Sequence, residues 1–243
     1  MNELVEALAT ADGTTCLVGA GGKKTTLYEL ADRLDRAILT ATVRIPIFDR
    51  KVAAVRVTSD PIAALKDADD NQFPLGLVPE RERDDRYRGY EPAIVDGLAS
   101  AHDGPVLVKA DGARTRLLKA PNDREPQIPP EADTVVPVAS VGAVGKSLSS
   151  EVVHRPERVA AITDAEIGDE ITPKLVGRVL ADERGGLKGI PADARPIPLI
   201  NAVDDATDET VAREIAAVVH DRADVPLVVL ARMIEGEIVD VLE

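Results

Sequence analysis

The chain has 243 residues, with 43 acidic against 29 basic side chains and a formal net charge of −14, a size that suits one α/β domain with ample core. No apolar run approaches the roughly 18 residues a membrane span needs, and acidic residues spread along the whole length argue against a general nucleic-acid binder. One cysteine, Cys16, excludes an intrachain disulfide and fits a reducing compartment. With no basic-then-apolar leader at the N-terminus, a cytoplasmic location is expected. Arginine outnumbers lysine about twofold, and a diffuse, lysine-poor acidic surface points to a halophilic cytoplasm.

Residues 2–9 read as a short amphipathic helix, and Asp12-Gly13 turns it into an apolar strand over 14–18. Gly19-Ala20-Gly21-Gly22-Lys23-Lys24-Thr25-Thr26 follows, and then Leu27, Leu30, Ala31 and Leu34 recur at i, i+3, i+4 and i+7, one apolar helix face. Strand, glycine turn and a helix opened by lysines and threonines is the layout of a phosphate-binding loop. Glycines let amides converge on an anion, the helix N-terminus adds unpaired donors, a lysine reaches the terminal phosphates and a threonine hydroxyl ligates magnesium. The standard spacing is not met: Leu17 stands where the first glycine belongs and Lys24 where the hydroxyl belongs. Either Lys23 is the phosphate lysine of a shorter loop, or Lys24 is, followed by Thr25; Thr25 or Thr26 then holds the metal.

A strand over 36–40 ends in Thr40-Ala41-Thr42-Val43-Arg44, hydroxyls and an arginine at the strand end where open α/β sheets bind ligands. A β-like run over 52–58, a helix opened by Asp60-Pro61, a strand over 73–78, a charged solvated loop over 79–90 and a helix over 91–101 come next. The apolar strand over 105–108 runs into Lys109-Ala110-Asp111-Gly112. A carboxylate in that place holds magnesium through water in nucleotide-binding folds. The basic segment Arg114 to Lys119 suggests anion contact in an otherwise acidic chain, and 122–130 is loop.

A strand over 134–139 leads to a second glycine-lysine run, Val141 to Ser147. It ranks lower because no helix with an apolar face follows it, although Gly145 and Lys146 still qualify as ligand contacts. His154, before Arg155-Pro156-Glu157, is a candidate ligand contact. Thr172-Pro173 opens a helix that Gly185-Gly186 ends. A strand over 196–200 runs into Asn201-Ala202-Val203-Asp204, near the Asn-Lys-x-Asp run that reads guanine, with alanine in place of lysine. Thr207 caps a helix, and strands over 225–231 and 235–241 form a hairpin at the sheet edge.

These segments, in order, resemble the YqeC family: Val18-Gly19-Ala20-Gly21-Gly22-Lys23 with Thr25-Thr26, Thr40-Ala41-Thr42, Ala110-Asp111-Gly112-Ala113 running to Leu118-Lys119-Ala120-Pro121, Glu125-Pro126, Ile128-Pro129, Val144-Gly145-Lys146, Val153-His154-Arg155-Pro156-Glu157 and Asn201-Ala202-Val203-Asp204. Members are described as accessory proteins of selenium-dependent molybdenum hydroxylases. The resemblance implies a nucleotide-binding protein that helps mature a molybdenum enzyme or its cofactor. Lys109 departs from it, standing where an acidic residue often precedes Ala-Asp-Gly.

The expectation is therefore one three-layer α/β domain over 1–243 with a mostly parallel sheet, P-loop NTPase-like, binding ATP or GTP with Mg2+ as a slow nucleoside-triphosphatase or phosphotransferase. Lys23, Lys24 and Asp111 carry the chemistry. Gly19, Ala20, Gly21, Gly22, Thr25, Thr26, Thr40, Thr42, Arg114, Lys119, Gly145, Lys146, His154, Asn201 and Asp204 complete the ligand contacts, with Thr25 and Asp111 at the metal. The alternative is a non-hydrolytic module for a phosphorylated molybdopterin-type cofactor or a partner protein; the partner expected in either case is a molybdenum hydroxylase or a cofactor-maturation protein.

Overall fold

The structure, a computed structural model, describes residues 2–243. Asn2 accepts from the Leu4 amide and caps α1 (Glu3–Ala7). β1 (Thr14–Gly19) passes through the glycine turn to α2 (Lys23–Arg33), which buries Leu27, Leu30 and Ala31. β2 (Ile38–Ala41), the two-residue β3 (Ile45–Pro46) and β4 (Ala54–Val57) precede α3 (Pro61–Lys66). Asp60 caps α3 through the Ala63 amide, with Pro61 at the first helical position as its fixed φ favours. β5 (Leu75–Val78), β6 (Arg86–Tyr87), α4 (Pro92–Ser100), β7 (Val106–Lys109), β8 (Leu118–Lys119) and β9 (Thr134–Ser140) follow. Then come β10 (Val153–His154), α5 (Pro156–Thr163), α6 (Pro173–Ala181), β11 (Arg195–Pro196), β12 (Leu199–Asn201), α7 (Ala206–Arg222), β13 (Val228–Arg232) and β14 (Glu237–Leu242).

Ten strands form one sheet in the order β14-β13-β12-β9-β1-β7-β2-β5-β4, with β11 beside β9. Every pair in it is parallel except the terminal β13–β14 hairpin. Strands that run in parallel and are covered on both faces lack polar alternation, which is why β1 and β9 read as apolar runs. Leu17, Leu39, Leu107 and Val136 pack with α1 and α2 on one face. Cys16, Ile38 and Val106 pack with Leu65 of α3 and Val95 and Leu98 of α4 on the other, where Ile200 and Leu230 meet α5, α6 and α7 further along. The result is the three-layer α/β arrangement expected of a P-loop NTPase-like fold. β1 sits at the centre, with β7 and β2 to one side and β9 and β12 to the other, so the chain changes direction across the sheet beside the end of β1. Open α/β sheets bind ligands at such a point.

Several boundaries differ from the sequence expectation for identifiable reasons. The loop over 79–90 is not wholly solvated: β6 pairs antiparallel with β3, and Tyr87 and Tyr90 are buried, Tyr87 donating to Asp49 and Tyr90 to the Thr58 carbonyl. The basic segment ends in β8, which pairs in parallel with β10. α6 ends at Ala181, not at the glycine pair; Gly185 and Gly186 close the turn behind it by donating to Asp182 and Val179 carbonyls. Asp205, not Thr207, caps α7, because its carboxylate reaches the Thr207 and Asp208 amides. The strand over 196–200 is broken by Ile197-Pro198 into β11 and β12.

Candidate functional site

The glycine turn is pressed against the end of β9. A Cβ on Gly19 would stand 2.3 Å from the Val138 carbonyl oxygen, and one on Gly22 only 2.2 Å from Asn201 Nδ2, so no side chain fits at either place. Gly19, Gly21 and Gly22 also have φ of 88°, 81° and 151°, which glycine alone adopts without strain. The closeness has a consequence for the amides. Gly19 N–H donates to Asp111 Oδ2 at 2.8 Å, Ala20 N–H to the Val138 carbonyl at 2.8 Å and Gly21 N–H to the Arg116 carbonyl at 3.0 Å. The first three amides expected to cradle an anion are thus committed inside the fold. The four that follow, on Gly22, Lys23, Lys24 and Thr25, find no acceptor among the described residues, and no side chain caps α2. The available donors are therefore those of the helix start, aligned with the positive end of the α2 dipole.

Asp111 follows Ala110, two residues past the end of β7. Its Oδ1 is 2.6 Å from Lys23 Nζ and its Oδ2 is 2.8 Å from Lys119 Nζ. Lys23 also donates to the Gly19 carbonyl, and Oδ1 has no well-directed donor. Lys119 extends the network to the Gly112 carbonyl at 2.6 Å and to Glu125 Oε2 at 2.8 Å, which Arg155 also reaches at 2.8 Å. Lys109 donates to the Arg44 and Asp111 carbonyls at 2.8 and 2.7 Å. Lys23, Lys109, Asp111 and Lys119 are all buried.

Burial dominates the ionisation of these groups. It pushes the Lys23 amine down, only partly opposed by Asp111. It pushes Lys109 down to about 7, with the Lys23 charge adding to the effect. For Asp111, burial raises the carboxyl but Lys23 and Lys119 together outweigh it, leaving it below the usual carboxylate range. Glu125 behaves alike, lowered on balance by Lys119 and Arg155 against burial. His154 is paired in register with Lys119, so the two project to the same face; burial and the Arg155 and Lys119 charges hold its imidazole down at about 4.

The structure brings together Gly19 to Thr26, Asp111, Lys119 and Asn201, with His154 beside Lys119. Asn201 does not present itself to a base. It is buried, donates to the Gly21 carbonyl at 2.7 Å and accepts from Met233 N–H at 3.0 Å, so it latches the glycine turn to β12 and β13. Asp204 is exposed. Thr26 is buried and turns its hydroxyl to the Gly22 carbonyl, whereas Thr25 and Lys24 stay partly exposed at the helix start. Thr40 donates to the Leu77 carbonyl and Thr42 to the Gln127 carbonyl, so both hydroxyls hold chain segments together. Arg114 is exposed in the turn before β8. Gly145 and Lys146 are exposed in a turn whose amides close on Ile171 and Ala143, with no helix behind them. Glu125, Arg155 and Lys109 were not among the expected contacts. The run of lysine, aspartate, lysine and glutamate at 109, 111, 119 and 125 was visible, but only folding shows that it converges. The enclosed hollow beside Asp111 and Lys119, bounded by Val138 and the Gly185-Gly186 turn, holds about 10 Å³, room for a single water at most.

A three-layer α/β protein with a glycine turn between a central parallel strand and an uncapped helix start, beside a strand-end aspartate, is the class that fold and site define. Within that class the chain belongs to the YqeC family: the family model described as YqeC protein matches residues 15–157. It is similar to the Uncharacterized protein YqeC of Escherichia coli (strain K12), 27% identical over 189 residues that cover 76% of this chain and 74% of that protein. The match over 15–157 takes in the glycine turn, Asp111, Lys119, Glu125 and Arg155.

Proposed function

We propose that the protein binds a nucleoside triphosphate, ATP or GTP, with the phosphates at the start of α2. The observation that carries this is the set of unpaired amides on Gly22 to Thr25 at an uncapped helix start, with Lys24 and Thr25 partly exposed beside them. Four unsatisfied donors and the helix dipole favour an anion there. A base finds no enclosed slot in the hollow beside Asp111, so triphosphate contacts supply most of the affinity.

A magnesium ion carried in by the phosphates fits Thr25 as hydroxyl ligand and Asp111 through water, since such ions take few protein ligands. No group of three or more His, Cys, Asp or Glu side chains among the described residues is placed to hold a metal alone. In that arrangement Lys23 or Lys24 neutralises phosphate charge, and any acceleration comes from positioning and charge compensation. Isothermal titration of ATP and GTP with magnesium tests the reading. Saturable binding lost in the Lys23→Ala/Lys24→Ala double variant supports it, and undiminished affinity in that variant refutes it.

One observation favours a slow or non-hydrolytic protein over an efficient phosphatase: Asp111 has Oδ2 taken by Lys119 and the Gly19 amide, and Oδ1 in ion contact with Lys23. Magnesium-dependent phosphate release abolished by Asp111→Asn would decide for hydrolysis or phosphoryl transfer. The resemblance to selenium-dependent hydroxylase accessory proteins supports a role in maturing a molybdenum enzyme or its cofactor, with such an enzyme as partner.

A further inference from the structure

The turn from Ala113 to Arg116 lies against the glycine turn. The Arg116 carbonyl accepts from Gly21 N–H at 3.0 Å, and the next carbonyl, of Leu117, accepts from Ser140 N–H at 3.0 Å at the end of β9. From there β8 runs beside β10, which sets Lys119 opposite His154. Arg114 and Thr115 in the turn, and Arg155 just after β10, have φ of 49°, 60° and 66°, a left-handed region that residues with a side chain enter at a cost and that recurs at ligand sites. The side chains on these segments are cationic and short of acceptors. Lys119 and Arg155 share one carboxylate oxygen, Glu125 Oε2, each at 2.8 Å, and Lys119 shares Asp111 with Lys23. Arg155 commits only Nη1. Arg114 is exposed, and its guanidinium has no partner among the described residues. The part-buried imidazole of His154 has none there either, and the charges acting most on it are three cations, Arg155, Lys119 and Arg114, against one carboxylate, Glu125. Leaving Lys109 aside, Lys23, Lys119, Arg155 and Arg114 face only Asp111 and Glu125, so two positive charges stand uncompensated in a chain of net charge −14.

We propose that Arg114, His154 and Arg155 form a second anion site beside the glycine turn, which takes the dianionic phosphate group of a ligand other than the nucleotide. Two guanidiniums offer forked N–H donors that match phosphate oxygens. An imidazole held neutral adds a further hydrogen bond without adding repulsion. A dianion compensates both surplus charges, whereas a carboxylate compensates one. The turn that carries Arg114 is tied to Gly21, the last of the committed amides, and the uncommitted ones begin at Gly22. The two anion sites therefore adjoin along the chain of the glycine turn without sharing a donor. As the place of a second substrate this site rests on the nucleotide reading; as an anion site it stands without it.

The chain has three histidines, so NMR of the imidazole rings at neutral pH reads His154 directly, its signal identified by its loss in His154→Gln. The full chain is titrated with inorganic phosphate and, at matched ionic strength, with acetate. Phosphate should move the His154 signal saturably and acetate much less. Arg114→Gln removes a side chain that holds nothing in the fold, so its circular dichroism and melting temperature should match wild type, while its phosphate response should weaken about tenfold or more. The wild-type response should persist when ATP or GTP with magnesium is present at saturation. A His154 signal indifferent to phosphate, an equal response to acetate or an unchanged response in Arg114→Gln would overturn the proposal. Displacement of the phosphate by the nucleotide would overturn it too, since the two sites would then be one. If the response is lost in Lys24→Ala but kept in Arg114→Gln, the phosphate sits at the α2 start; the proposal fails while the nucleotide reading stands. If the response depends on Arg114 and neither ATP nor GTP binds, the proposal holds and the nucleotide reading fails.

Discussion

Asp111→Asn is the substitution with the largest consequence that the site predicts. Asparagine has nearly the same shape and can still accept from the Gly19 amide, so packing is preserved. The carboxylate is lost, and with it the ion contacts to Lys23 at 2.6 Å and Lys119 at 2.8 Å. Lys119 keeps Glu125 and the Gly112 carbonyl, but Lys23 keeps only the Gly19 carbonyl. Removing one partner of a buried pair costs about 3–5 kcal/mol. For a chain of this size each kcal/mol moves the melting temperature by about 2–4 °C, so the variant should melt about 6–20 °C lower. Scanning calorimetry measures it. Adding Lys23→Met to Asp111→Asn should recover most of the loss, because the stranded ammonium is then gone. A fall of under about 3 °C, or no recovery in the double variant, would show that the Lys23–Asp111 contact is not the buried pair described here.

Acid should act through the same carboxylate. Its native ionisation is depressed, so the stability it contributes is present above the unfolded value of about 3.9 and is lost as pH falls through the native one. Denaturant midpoints followed from pH 6 to pH 2 should therefore fall more steeply for wild type than for Asp111→Asn. Asn201→Ala leaves the Gly21 carbonyl and the Met233 amide without their partner and should cost about 1–3 kcal/mol by chemical denaturation. Lys24→Ala touches no partner in the fold, so its stability should stay within about 0.5 kcal/mol, while affinity for pyrophosphate or ATP should fall; an unchanged affinity would make Lys23 the sole phosphate lysine. Gly22→Ala places a methyl against Asn201 at a φ of 151°, and should lower both the melting temperature and anion binding.

The sequence by itself determined the layers. Strand 14–18, the glycine turn and the helical spacing of Leu27, Leu30 and Ala31 are local signals, and they placed β1, the turn and α2 where the structure has them. Apolar runs at β7 and β9 likewise announced buried parallel strands. Where the signal was a single residue, neighbours overruled it: Asp205 captured the α7 start from Thr207, since its carboxylate reaches two amides. Only the tertiary structure decided what the turn offers. Its first three amides are spent on Asp111, Val138 and Arg116, residues about 90 to 120 positions away, and Asn201 is turned inward by Met233. Lys109, Glu125 and Arg155 likewise become part of one ionic cluster only when β7, β8 and β10 meet at the end of β1. Hydrogen bonds and charges act through space, and a residue pattern specifies which groups exist but not which of them folding brings within 3 Å of each other.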